Sequence, residues 1–158
     1  MRAYCVAYGS CNSCGYGQFA NVTGKTSCDF CSPGFFANST GYVNCAPCST
    51  GFYANGTGAV NCDACPLGYH VNYTSATYCD QCIPGTFSNK TGSVHCSYCA
   101  TGSYTDYSGA SICDRCMPGY YINETGTTGC LSCDAGTFAN KTGSSSCDIC
   151  SKGNKKTL

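Results

Sequence analysis

One long period organises the hydrophobic and polar positions of this chain. A ring recurs at Phe19, Phe36, Tyr53, His70, Phe87, Tyr104, Tyr121 and Phe138, always 17 residues after the last. Two residues before each ring stands a Gly, as at Gly17, Gly34 and Gly51. After the ring comes Asn-x-Thr, usually followed by another Gly. Each repeat therefore reads as a small hairpin. Gly34-Phe35-Phe36-Ala37 predicts a short strand. Asn38-Ser39-Thr40-Gly41 has turn chemistry, since Asn and Thr side chains bond nearby backbone and Gly accepts positive φ. Tyr42-Val43-Asn44 is expected to run back toward the next Cys.

A single two-stranded hairpin is barely stable in water. These hairpins need a covalent link and a neighbour. Stacked repeats contact mainly adjacent repeats, which predicts an elongated rod or solenoid of small all-β, disulfide-rich repeats. The organisation expected is an N-terminal cap over residues 1–10, eight tandem repeats over 11–146, and a partial ninth repeat with a tail over 147–158.

Composition changes the picture in one respect. Leu, Ile, Val and Phe together number only 20 of 158 residues, too few for an ordinary single core. Cys numbers 19, an excess that points to a disulfide scaffold. The formal net charge is zero, with eight basic and eight acidic residues, so no basic surface for nucleic acid is expected. No apolar run approaches the ~18 residues of a membrane span. Met1-Arg2-Ala3-Tyr4-Cys5 lacks the apolar core of a signal peptide. The expectation is a mature form or an excerpt of a longer secreted chain.

The cysteines keep the same phase. C-x-x-C occurs nine times, from Cys11/Cys14 to Cys147/Cys150, without an insertion or deletion between pairs. Sequence alone does not determine connectivity. The scheme favoured joins the second Cys of one repeat to the first of the next. Its bridges are Cys14–Cys28, Cys31–Cys45, Cys48–Cys62, Cys65–Cys79, Cys82–Cys96, Cys99–Cys113, Cys116–Cys130 and Cys133–Cys147. It alone links nearest neighbours while treating every repeat identically. Cys5 is then the partner for Cys11, and Cys150 is left for another chain or a Cys further along. A rival scheme links first to first and second to second across pairs of repeats, which imposes a 34-residue alternation. Zinc held by four thiolates is the chemical alternative, although nine pairs do not divide evenly into such sites. Thioredoxin-like redox work needs C-x-x-C near a βαβ pattern, and none is present.

Seven Asn-x-Thr tripeptides are acceptors for N-linked glycans: those beginning at Asn21, Asn38, Asn55, Asn72, Asn89, Asn123 and Asn140. All share one phase of the repeat. The sixth repeat has Asp106-Tyr107-Ser108 instead, keeping turn chemistry without the acceptor. The residues building the turn and an exposed tip bearing a sugar are compatible readings.

The remaining signals are weaker. Asp follows the first Cys at Asp29, Asp63, Asp80, Asp114 and Asp148, and one carboxylate per repeat is too few for Ca²⁺. That column reads as turn capping. The ring column is expected to pack on the neighbouring repeat's disulfide or Gly. His70 is a variant within that column, and His95 lies in a variable one. No Cys–His or Ser–His constellation arises, so no catalytic residue, metal site or cofactor is expected. Lys152, Lys155 and Lys156 form a small solvated basic end.

The run of C-x-x-C-x-x-G-x-[FY] repeats from Cys11 to Gly153 resembles ephrin-receptor-like cysteine-rich repeats. The stretch from C-x-x-G-x-[FY] to the next Cys is also similar to the first half-module of tumour-necrosis-factor-receptor cysteine-rich domains. Long arrays of this kind resemble surface antigens and coats of ciliates and other protists. The resemblance implies disulfide-linked hairpins in an elongated ectodomain, and it too favours bridging Cys14 to Cys28 and its equivalents. The strict step and the sequon column depart from receptor modules, whose loops vary to meet ligands. Two functions follow as expectations. One is a structural N-glycosylated extracellular protein that self-associates into a fibre, hair or cell-surface coat. The other is a ligand-binding or stalk ectodomain of a receptor or surface antigen.

Overall fold

The computed structural model describes residues 3–5, 11–22 and 25–151. Among them the chain is all-β, built from short antiparallel hairpins without a helix. The first pair, Ala3–Cys5 with Cys11–Ser13, has three residues in each strand. Every later strand has two residues, as in Phe35–Phe36 and Ala46–Pro47. Two residues form almost no ladder, so each hairpin depends on what closes it and what lies beside it.

The outgoing strand falls on the ring column as expected, but the return strand does not. Phe35 pairs with Pro47 and Phe36 with Ala46, so the return strand lies inside the next C-x-x-C, beyond Cys45. The same register places Tyr53 opposite Asp63 and Tyr104 opposite Asp114. The segment expected to return, Tyr42-Val43-Asn44, is engaged elsewhere. The Tyr42 carbonyl accepts the Ala20 N–H at 3.0 Å, and Tyr42 bridges Phe19 of the preceding repeat in parallel. Neighbour contact takes that backbone out of its own hairpin.

Contact density divides the chain into two compact units. The first is built from Met1–Pro66, His70–Asp80 and Thr91–His95. Its core consists of Cys14, Cys31, Cys48 and Cys65 with Ala20, Ala37, Ala54, Val71 and Ala76, all buried. The second is built from Leu67–Tyr69, Gln81–Lys90 and Cys96–Leu158. Its core consists of Cys82, Cys99 and Cys116 with Ala110, Ile122, Ala139 and the polar Thr86, Ser88 and Thr105. In both units most of the buried positions are the second Cys of a pair or the residue just after the ring. Most side chains there are small, with Val71 and Ile122 the largest. A thin core of this kind removes little apolar area from water.

Four backbone bonds recur at each step. In the first unit the Gly17 N–H donates to the Ala37 carbonyl at 2.8 Å, and the Ala20 N–H donates to Tyr42. The Gly41 N–H donates back to the Cys14 carbonyl at 2.8 Å, and the Cys31 N–H donates to Gly17 at 2.9 Å. The second unit repeats this set: Gly85 to Thr105, Ser88 to Ala110, Gly109 to Cys82 and Cys99 to Gly85. Buried backbone groups cost free energy when unpaired, so these bonds set the spacing between repeats.

The Gly after each C-x-x-C meets two demands together. At Gly85 φ is +82°, a left-handed conformation, and a Cβ would fall onto the Gly126 carbonyl, two repeats further on. Gly136 has nearly the same backbone, φ +85°, with open space where its Cβ would be. The pair separates strain from collision. A left-handed non-Gly residue costs about 1–2 kcal/mol, and forced overlap adds about 1–3 kcal/mol. Gly85→Ala is expected to destabilise the oxidised protein by at least about 1 kcal/mol more than Gly136→Ala, read from denaturant midpoints. Equal losses would remove the close-contact argument.

Ser75 replaces Gly in the turn of the fourth repeat and keeps φ at +61°. Its carbonyl lies under Gly34 as Gly58 lies under Gly17. The contact is retained and only the left-handed strain is added. Ser75→Gly is therefore expected to raise stability by about 0.5–1 kcal/mol, and thermal unfolding without reductant measures it.

Candidate functional site: the bridged hairpins and their turn face

The bridges define each hairpin's base. Cys14 is joined to Cys28, Cys31 to Cys45, Cys48 to Cys62 and Cys65 to Cys79 in the first unit. In the second unit Cys82 is joined to Cys96, Cys99 to Cys113, Cys116 to Cys130 and Cys133 to Cys147. Cα–Cα distances run from 5.6 Å at Cys82–Cys96 to 5.8 Å at Cys133–Cys147, within the ordinary range for a disulfide. The hairpin register brings the paired cysteines together, because Cys28 directly precedes the return strand Asp29–Phe30. The backbones of Cys5 and Cys11 face each other in antiparallel register, but their side chains lie outside the described residues. Cys150 is an exposed free thiol.

These sixteen sulfurs are already bonded and offer no thiolate to zinc and no nucleophile. His95 is exposed and His70 half-buried. The phenol of Tyr73 is raised above its ordinary value, first by desolvation and then by Tyr78 and Asp80. It moves away from neutrality and gains no acid–base role there. No catalytic arrangement is evident among the described residues.

The exposed polar chemistry lies on the turns, most of which close on a second Gly. Gly58 has φ +72°, and its N–H donates to the Cys31 carbonyl at 2.7 Å. That bond pins the turn to the preceding repeat. The Asn that starts the turn follows the buried small residue, so it faces outward. Asn21, Asn38, Asn55, Asn72, Asn89, Asn123 and Asn140 are all exposed. The Thr two residues on is exposed at Thr40, Thr57, Thr74, Thr91, Thr125 and Thr142, whereas Thr23 lies outside the described residues. The Tyr42 hydroxyl donates to Asn38 Oδ1 at 2.9 Å. This bond uses the amide oxygen and not the nitrogen that takes a sugar. In the sixth repeat Asp106 and Ser108 are exposed, and Gly109 keeps φ at +78°. The turn survives there without its acceptor.

One expectation about a neighbouring column is corrected. The Asp column does not cap turns. Asp29, Asp63, Asp114 and Asp148 sit in return strands opposite Phe19, Tyr53, Tyr104 and Phe138. Asp29 also pairs with Lys25. The rings that lie against a neighbour's Gly include Phe30 on Gly58 and Tyr98 on Gly126. Both come from inside C-x-x-C, because the return strand is there. Their position between cysteines varies in type, so periodicity did not mark it. Lys152, Lys155 and Lys156 lie outside the described residues.

A bridge across a 14-residue separation contributes about 3 kcal/mol in the chain-entropy account. The double change Cys82→Ala and Cys96→Ala is expected to cost about 2–5 kcal/mol, because it also empties the fully buried Cys82 position. Guanidinium unfolding measures it, and a loss under 1 kcal/mol would show that backbone bonding alone holds this step.

No helix of the described residues is long and apolar enough to cross a membrane. Residues 34–82 and 119–157, together more than half of the chain, match the family described as tyrosine-protein kinase ephrin type A/B receptor-like. No curated protein matches the chain.

Proposed function

The chain belongs to the ephrin type A/B receptor-like family of cysteine-rich repeats, and on that premise we propose that it is an extracellular structural glycoprotein, a subunit of a fibre, hair or cell-surface coat. The observation that carries this reading is the sequon register. Seven acceptors share one phase of a 17-residue repeat, and every acceptor Asn is exposed. A turn needs Asn or Gly, but it does not need Thr two residues later every time. The combination is what an oligosaccharyltransferase reads. Sugars at each step sheath the protein, shield its short strand edges and hinder proteases. So dense a disulfide ladder belongs in an oxidising compartment. Cys5 pairs with Cys11 and closes the N-terminal cap. The exposed Cys150 thiol links one chain to another or to a Cys further along.

A second reading is favoured by the family itself, whose description names a receptor. On that reading the repeats are the stalk or ligand-binding part of a receptor or surface antigen.

Glycopeptide mass spectrometry of the native, unreduced protein tests the first reading, alongside electron microscopy. Most of the seven Asn residues are expected to carry glycan, and the material to form filaments or a continuous coat with a regular axial repeat. Bare Asn residues would sink the glycan sheath. Isolated particles on membrane stubs would favour the receptor stalk.

A further inference from the structure

Asp106 interrupts the acceptor column in the sixth repeat, and the second compact unit is open at that place. A groove of 430 Å³ is lined by Tyr104, Asp106, Arg115, Met117, Tyr120 and Thr128, among others. Met117 and Tyr120 are exposed, at 72% and 46%. No ion pair occupies Asp106 or Arg115 among the described residues. The groove thus offers two phenol rings and a thioether as walls, with one free carboxylate and one free guanidinium.

The donor set narrows the ligand. A purely apolar molecule would strip water from Asp106 and Arg115 and return nothing. A simple anion would face the Asp106 carboxylate. A sugar ring has a C–H face that lies on aromatic walls and a rim of hydroxyls. A carboxylate accepts from hydroxyls, and a guanidinium donates to them. We propose that this groove is a saccharide-binding site, and that its occupant is an N-linked glycan of a second copy of this chain. Only the source of the sugar rests on the glycan-sheath reading; the groove itself does not. The placement serves both roles. The one turn that bears no sugar of its own leaves room for a neighbour's, and the site becomes a self-association contact.

One substitution tests this directly. Asp106→Asn turns residues 106–108 into an acceptor, since Tyr107-Ser108 already follows. In a glycosylating host the sugar added there covers the groove. Peptide:N-glycanase removes that sugar and leaves Asp at the site, restoring the original residue.

The full-length oxidised protein, made without glycans and with its bridges verified by peptide mapping, is titrated with N,N′-diacetylchitobiose and with a mannose trisaccharide by NMR. Saturable binding is expected for at least one sugar. Tyr120→Ala and Arg115→Ala are each expected to weaken it at least tenfold while the bridges stay intact. The glycosylated protein is expected to self-associate in sedimentation, to lose this with Asp106→Asn, and to regain no contact after the enzyme strips every glycan. Adding glycosylated wild-type chain to the stripped variant restores the contact. No saturable sugar binding, or binding unchanged in both variants, overturns the site. Sugar binding with self-association indifferent to Asp106→Asn overturns the neighbour as its source. Bare Asn residues in the native protein sink the glycan sheath and that source, while the titration still decides the groove.

Discussion

A hairpin with two residues in each strand cannot hold itself together, and the disulfide at its base is what makes it a structural element. Each bridge ties residues 14 apart, across the turn and back to the return strand. Closing a loop of that length in the unfolded chain removes conformational freedom worth about 3 kcal/mol. A core of Cys and Ala, with an occasional Val or Ile, has no comparable term. The bridge also decides where the return strand begins. The half-cystine at 45 delivers the chain directly to Ala46–Pro47, and the pairing with Phe35–Phe36 follows.

Once the hairpins are closed, backbone joins them. Gly17 donates to the next repeat, accepts from it, and lies against a carbonyl two repeats away. Such contacts leave no room for a Cβ and little for chain-length variation. A one-residue insertion would move both partners of several bonds at once. The exact step and the invariant Gly are thus two consequences of one geometry. Variation collects where the side chain is exposed and a Cβ meets nothing. The residues between the cysteines range from Phe30 to Arg115, and the residue after Asn ranges from Gly56 to Glu124.

This division shapes what the molecule offers its surroundings. The conserved columns within the chain are spent on holding it together, and chemistry is left to the exposed tips and the positions between cysteines. A repeated tip gives a repeated surface. A single departure, as at Asp106, makes one place different from the rest. That is how a regular scaffold acquires a specific site without disturbing its frame.

By itself the sequence determined the period, the ring strand, the Asn-Gly turn and the phase shared by the sequons, because each rests on a residue type whose local chemistry is distinctive. Uniformity of the step favoured the bridge ladder over its rivals without deciding between them. Tertiary structure alone decided the return strand, since Tyr42-Val43-Asn44 has strand propensity and loses its backbone to the neighbouring repeat. It decided that the Asp column lies opposite the rings, where local reading assigned a cap. It decided that the residue after the ring is the buried one, and that Gly85 meets a carbonyl 41 residues further along the chain. Contacts between backbones leave no mark in side-chain pattern beyond the Gly they require. A Gly states that something comes close without saying what.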